Sequence, residues 1–137
     1  MSKKRKHRKP KPHTLVLEKG KYYIAHDRSK KGHPCRIEFI DDENGFYLSV
    51  TTGSMTEEEY KNKPFRKDYI ELRHPTSEFV YKSFVNKRPF IGTRDDYGDK
   101  ELLQMEIHYD DLDKISEILL KKPREGYWYK ITKKPSD

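Results

Sequence analysis

Residues 31 to 54 read KGHPCRIEFIDDENGFYLSVTTGS. Two alternating runs, Arg36 to Ile40 and Phe46 to Val50, flank a polar DDENG, and its Asn44-Gly45 is a strong hairpin signal because both residues tolerate positive φ. Successive side chains of a strand point to opposite faces, so Ile37 and Phe39 are expected together on one face, and Phe46, Leu48 and Val50 on one face of the partner strand. Residues equidistant from the turn face each other in an antiparallel pair, which sets Cys35 or Arg36 beside Val50 to Thr52. An arginine and a set of hydroxyls are thus expected at one end of the sheet.

Working outward, Tyr22 to His26 reads as a first strand behind a Lys19-Gly20 turn, with Thr14 to Leu17 as a possible edge strand. Arg28 to Pro34 is a polar loop by its Gly and Pro content. Thr56 with Glu59 three residues on forms a capping box for a brief helical turn over Thr56 to Lys63. Asp68 to Arg73 and Glu78 to Val85 read as strands; residues 86 to 94 suit an irregular segment or an edge strand, and Arg94 to Asp99 a loop. Glu101 to Ile107 is open between strand and helix. Leu112, Ile115, Ile118 and Leu119 recur at helical spacing, so Asp111 to Lys121 is expected as a helix capped by Asp110 or Asp111, and Tyr127 to Thr132 as a last strand. The fold class expected is mainly β: a small SH3-like or plug barrel of five to six short strands with one C-terminal helix.

The charge is unevenly placed. Residues 1 to 13 hold Lys3, Lys4, Arg5, Lys6, Arg8, Lys9 and Lys11 with no acid, so this segment alone accounts for the net charge of +7. Residues 14 to 120 carry 17 basic and 21 acidic side chains. The expected organisation is a disordered basic arm (1–13), a single barrel-like domain (14–132) and a disordered tail (133–137). No run approaches the roughly 18 apolar residues of a transmembrane helix, and the N-terminus lacks the apolar segment of a secretory signal, so a cytoplasmic protein without a membrane partner is expected. One cysteine cannot form an internal disulfide, no Cys/His spacing resembles a zinc site, and Cys35 reads as a small residue at a strand start.

Phosphate-binding Gly loops, HExxH and GxSxG are missing from the chain, which removes the enzyme classes that depend on them. What remains is Arg36 beside Thr51, Thr52 and Ser54. A guanidinium next to hydroxyls suits a phosphate, since arginine offers planar donors and a permanent charge. Equally, Arg36 could pair with Glu38 or Asp68 and the threonines merely end a strand. The arm, with Lys30 and Lys31, is a candidate for nucleic-acid phosphates through counterion release, and Tyr127, Trp128 and Tyr129 could stack bases.

The order of these features resembles the PemK/MazF family of toxin endoribonucleases. The resemblance rests on YYIA at 22 to 25, a glycine-containing loop, Arg36 opening the second strand, the hairpin, and a strand ending in Thr/Ser; then SEFVYKSFVNKRPFIG and the helix DDLDKISEILLK, over roughly residues 20 to 121. Where the family commonly shows Arg-Pro and Thr-Ser, this chain has Arg36-Ile37 and Thr51-Thr52-Gly53-Ser54. The resemblance implies a homodimer, an antitoxin partner, and cleavage of single-stranded RNA by its own 2'-OH with neither metal nor cofactor. Arg36 would stabilise the phosphorane, Thr52 or Thr51 would hydrogen-bond the phosphate, and His33 is the nearest base. The alternative is a noncatalytic nucleic-acid-binding accessory module that works through its basic arm.

Overall fold

The computed structural model describes residues 15–26, 32–62 and 67–125. The basic arm, Lys30, Lys31, the expected strand Tyr127 to Thr132 and the tail lie outside the described residues.

The quoted hairpin is the centre of the fold. Its strands are β2 (Gly32–Asp41) and β3 (Phe46–Met55), paired antiparallel from Cys35 opposite Thr51 to Asp41 opposite Phe46. β2 starts four residues before Arg36, so His33 and Pro34 belong to the strand and not to a loop. The turn is a four-residue loop and not the two-residue turn that Asn-Gly suggests. Gly45 takes φ 76°, while Asn44 donates from its backbone and side chain to the Asp41 carboxylate at 3.0 and 2.9 Å.

A bulge corrects the expected faces. Ile37 pairs with Ser49 but Phe39 with Leu48, which leaves Glu38 unmatched on the ladder and reverses every side chain beyond it. Ile37 stays in the core, whereas Phe39 turns half out of the protein and meets Phe46 at 6.3 Å, and Ile40 takes the core side with Tyr47.

β1 (Tyr22–His26) pairs with β2, and the path continues β3, β5 (Lys82–Asn86), β4 (Tyr69–Glu71). The long strand β3 serves two further partners: Thr52 to Met55 pair with β5, and Tyr47 to Ser49 with β6 (Phe90–Gly92). The two-residue β7 (Arg124–Glu125) runs parallel to β6, which therefore is not an edge. The fold is mainly β, with α2 (Leu112–Leu119) near its C-terminal end. Barrel closure is not seen: no ladder joins β4 to β1 among the described residues.

Both faces of the β1–β2–β3 layer are covered. One core holds Leu17, Tyr23, Ala25, Cys35, Ile37, Phe90 and Tyr97; the other holds Tyr22, Val50, Leu72, Val85, Ile107, Ile115 and Ile118. This explains why the consecutive Tyr22 and Tyr23 are each only 1% exposed although they point in opposite directions. Helix α2 buries Ile115 and Ile118 in the second core, while Leu112, expected on the same stripe, remains 41% exposed. Helix α1 (Glu57–Asn62) starts with the expected capping box, Thr56 and Glu59 exchanging backbone N–H bonds at 2.9 and 3.1 Å.

Three expectations need correction. Residues 78 to 81 are not strand: Val80 N–H bonds back to the Ser77 carbonyl, Phe79 N–H bonds to the Ser77 hydroxyl, and this turn leaves Phe79 and Tyr81 exposed. Residues 101 to 107 are neither strand nor helix; single backbone bonds, Leu102 to Tyr22 and Glu106 to Thr76, hold the segment across the sheet. Leu15 to Leu17 form no strand, but Leu17 is buried and the Leu15 carbonyl accepts from Arg94, whose guanidinium also reaches the Tyr97 carbonyl and Asp99.

Candidate functional site

Side chains that share a sheet face can act together; those on opposite faces cannot. Arg36 lies between Tyr22 on β1 and Val50 on β3, so it projects from the face of the second core. Thr52, two residues beyond Val50, shares that face: it is 2% exposed and its hydroxyl donates to the Tyr22 hydroxyl at 3.3 Å. Thr51 and His33 point the other way. Thr51 sits opposite Cys35, their side chains 3.4 Å apart within the first core, and His33 sits opposite Ala25 of that core. The pleat therefore separates Arg36 and Thr52 from Thr51 and His33. Burial of Tyr22 raises its hydroxyl to about 12, with the Thr52 hydrogen bond and the Arg36 charge opposing the rise, so Tyr22 is a neutral phenol at physiological pH.

Arg36 has the partner that the plainer reading gave it. Its Nη1 meets Glu38 Oε2 at 2.6 Å, with both side chains largely buried. Strand alternation puts Glu38, two residues on, on the same face as Arg36. Desolvation raises the Glu38 carboxyl above the ordinary range, and the Arg36 charge and hydrogen bond only partly restore it.

Arg36 also forms one wall of a groove of about 730 Å³. The opposite walls come from the loop after β4 (His74 to Phe79) and from the segment that leads into α2 (Gln104, Glu106 to Tyr109, and Leu112). Of the large apolar side chains that stand exposed, Phe79, Tyr109 and Leu112 are all in this groove. Two carboxylates, Glu78 and Glu106, line it as well.

Two histidines that the sequence reading did not single out meet here. The rings of His74 and His108 stack with centroids 3.7 Å apart and planes 17° apart, and Tyr109 stacks on His108 at 4.6 Å. His74 Nε2 is 3.0 Å from Asp110 Oδ2, and His108 Nδ1 is 3.6 Å from the same oxygen while accepting the Asp110 backbone N–H at 3.0 Å. The backbone under them is pinned. Asp111, 0% exposed, accepts the N–H groups of Arg73 and His74 at 2.8 and 3.0 Å, and Arg73 donates to the Asp110 carbonyl at 2.7 Å. Asp111 is the residue before α2, yet its side chain makes no helix-capping bond; it ties two loops together instead. His74 and His108 are 34 residues apart in sequence, so no local spacing betrays them.

No helix among the described residues is long and apolar enough to cross a membrane. Comparison of the chain with protein-family models, with curated proteins and with solved structures finds no match.

Proposed function

We propose that this protein is an RNA-binding endoribonuclease of the PemK/MazF type, and that the groove walled by Arg36 is where it holds single-stranded RNA. The observation that carries the reading is the convergence of Arg36, His74 and His108 on one groove with exposed aromatic side chains. Arginine supplies a permanent charge for a phosphate and for the dianionic phosphorane that attack by the 2'-OH creates. An imidazole exchanges protons near neutral pH, so His74 or His108 takes the proton of the attacking 2'-OH and returns one to the leaving 5'-oxygen. This role passes to them from His33, which lies on the other sheet face. Phe79 and Tyr109 give bases a surface to stack on. Thr52 acts at one remove, by orienting Tyr22 beside Arg36. Glu78 and Glu106 repel phosphates from the rest of the groove, which confines the backbone to the Arg36 side. Lys3 to Lys11 of the arm add sequence-independent attraction for the RNA. A cytoplasmic location, a homodimer and an acidic antitoxin belong to the same proposal.

The test is incubation of the full chain with mixed-sequence single-stranded RNA in EDTA, with the new ends analysed for 2',3'-cyclic phosphate. Arg36→Gln should lose cleavage by about 100-fold or more, as removal of one oxyanion-type donor does elsewhere, while remaining folded. Retention of RNA or DNA without cleavage, lost on deletion of residues 1 to 13, would instead establish the accessory module that works through its arm.

A further inference from the structure

We propose that His74, His108 and Asp110 form a binding site for a divalent transition-metal ion of the zinc class. Two donors that share one zinc ion at about 2.0 to 2.1 Å in a tetrahedral arrangement lie roughly 3.3 to 3.4 Å from each other. Asp110 Oδ2 stands 3.0 Å from His74 Nε2 and 3.6 Å from His108 Nδ1, on either side of that spacing, and the three donor atoms all lie within 4.8 Å of one another. The stacked rings are 17° from parallel, so binding one ion between them requires these partly exposed imidazoles to rotate out of the stack.

The donor set selects the metal. Imidazole with carboxylate suits zinc, nickel or copper, whereas magnesium and calcium take oxygen ligands. The scaffold holds two of the donors from behind: the Asp111 carboxylate fixes the His74 backbone, and Arg73 fixes the Asp110 carbonyl. These bonds fix the backbone from which two of the ligands project. Two features weaken the binding. The Asp110 N–H already occupies His108 Nδ1 and must release it, and the Arg73 guanidinium lies near the same turn, bonded to Asp113 at 3.2 Å. His74 and His108 line the groove, so the remaining coordination positions fall to water or to a groove ligand.

The experiment titrates the full chain with zinc chloride in a calorimeter, with magnesium chloride as control, and follows the imidazole resonances of the unmodified protein by NMR. Expected are one zinc per chain, shifts at His74 and His108, no response to magnesium, and at least tenfold weaker binding in His74→Gln and in Asp110→Asn. Shifts at His33 or in the arm histidines His7 and His13, with His74 and His108 unmoved, would overturn the proposal, as would a zinc affinity that His74→Gln leaves unchanged. The NMR readout uses the native chain, so it decides the matter even where a variant fails to fold. It also stands apart from RNA cleavage.

Discussion

The backbone N–H of His74 donates to the wholly buried carboxylate of Asp111, 3.0 Å away, across 37 residues of sequence. That bond, with its twin from Arg73, converts an exposed loop into a fixed wall of the groove and puts one histidine on top of the other. Buried carboxylates accept backbone N–H groups strongly.

Asp111→Ala should therefore cost about 2 to 4 kcal/mol, as the loss of charged hydrogen bonds and of a buried side chain does. Asp111→Asn, which keeps one acceptor oxygen, should cost less. Hydrogen exchange at the Arg73 and His74 amides checks the local claim: both should lose protection in Asp111→Ala. Unchanged protection would mean that the loop is held by other contacts.

The ion pair of Arg36 with Glu38 predicts non-additivity. Arg36→Ala leaves a buried carboxylate without its partner and should cost about 3 to 5 kcal/mol, while Arg36→Ala with Glu38→Ala should cost less than the single change. Chemical denaturation of the four forms in a double-mutant cycle measures this. Burial holds the folded Glu38 carboxyl above its ordinary value of 4.5, so between that value and the folded one the native state binds the extra proton. The Glu38 contribution then stabilises the protein as pH falls through the window, and Glu38→Gln should flatten that part of the profile. Asp41 and Asp113, lowered mainly by hydrogen bonds from Asn44 and Arg73, act in the opposite sense at more acid pH.

At alkaline pH the decisive group is Tyr22. Its folded value of about 12 stands above the ordinary 10, so the native state keeps a proton that the unfolded chain releases, and stability falls as pH rises from 10 to 12. A two-unit difference corresponds to a loss of up to about 3 kcal/mol over that window. Tyr23 is raised by burial as well and adds to the slope. Tyr22→Phe should remove the larger part of this pH dependence at a cost of about 1 kcal/mol near neutrality for the lost Thr52 bond. An identical alkaline slope in the variant would contradict it.

The groove histidines separate from His33 in a cleavage assay. His74→Ala and His108→Ala should each lower kcat by about 100-fold or more, the usual contribution of a proton-transferring group, while His33→Ala leaves kcat unchanged. Zinc added to the assay with EDTA omitted should suppress cleavage, because an imidazole bound to metal has no lone pair to exchange a proton. Equal losses at His33 and His74 would return the base to the other face of the sheet.

Much of the scaffold was legible in local sequence. Alternation, the Asn44-Gly45 turn, the Thr56 to Glu59 capping box and the 3.6-residue stripe of α2 rest on interactions a few residues long, and each lies in the structure close to where it was read. The placing of Cys35 or Arg36 beside Val50 to Thr52 followed from the turn, while the register itself, Arg36 opposite Val50, was set by the four-residue loop and the bulge. Tertiary structure decided the rest. The bulge at Glu38 has no local signal, because it is selected by which side chains the two cores accept, and it turned Phe39 outward, whereas the Arg36–Glu38 pair follows from their spacing of two along the strand. Barrel closure is likewise a matter of whether distant edges meet, and among the described residues they do not. The meeting of His74, His108 and Asp110 depends on the buried Asp111 carboxylate and on a segment without regular structure crossing the sheet. Periodicity cannot report such contacts, because their driving force is the satisfaction of buried polar groups by residues far apart in the chain.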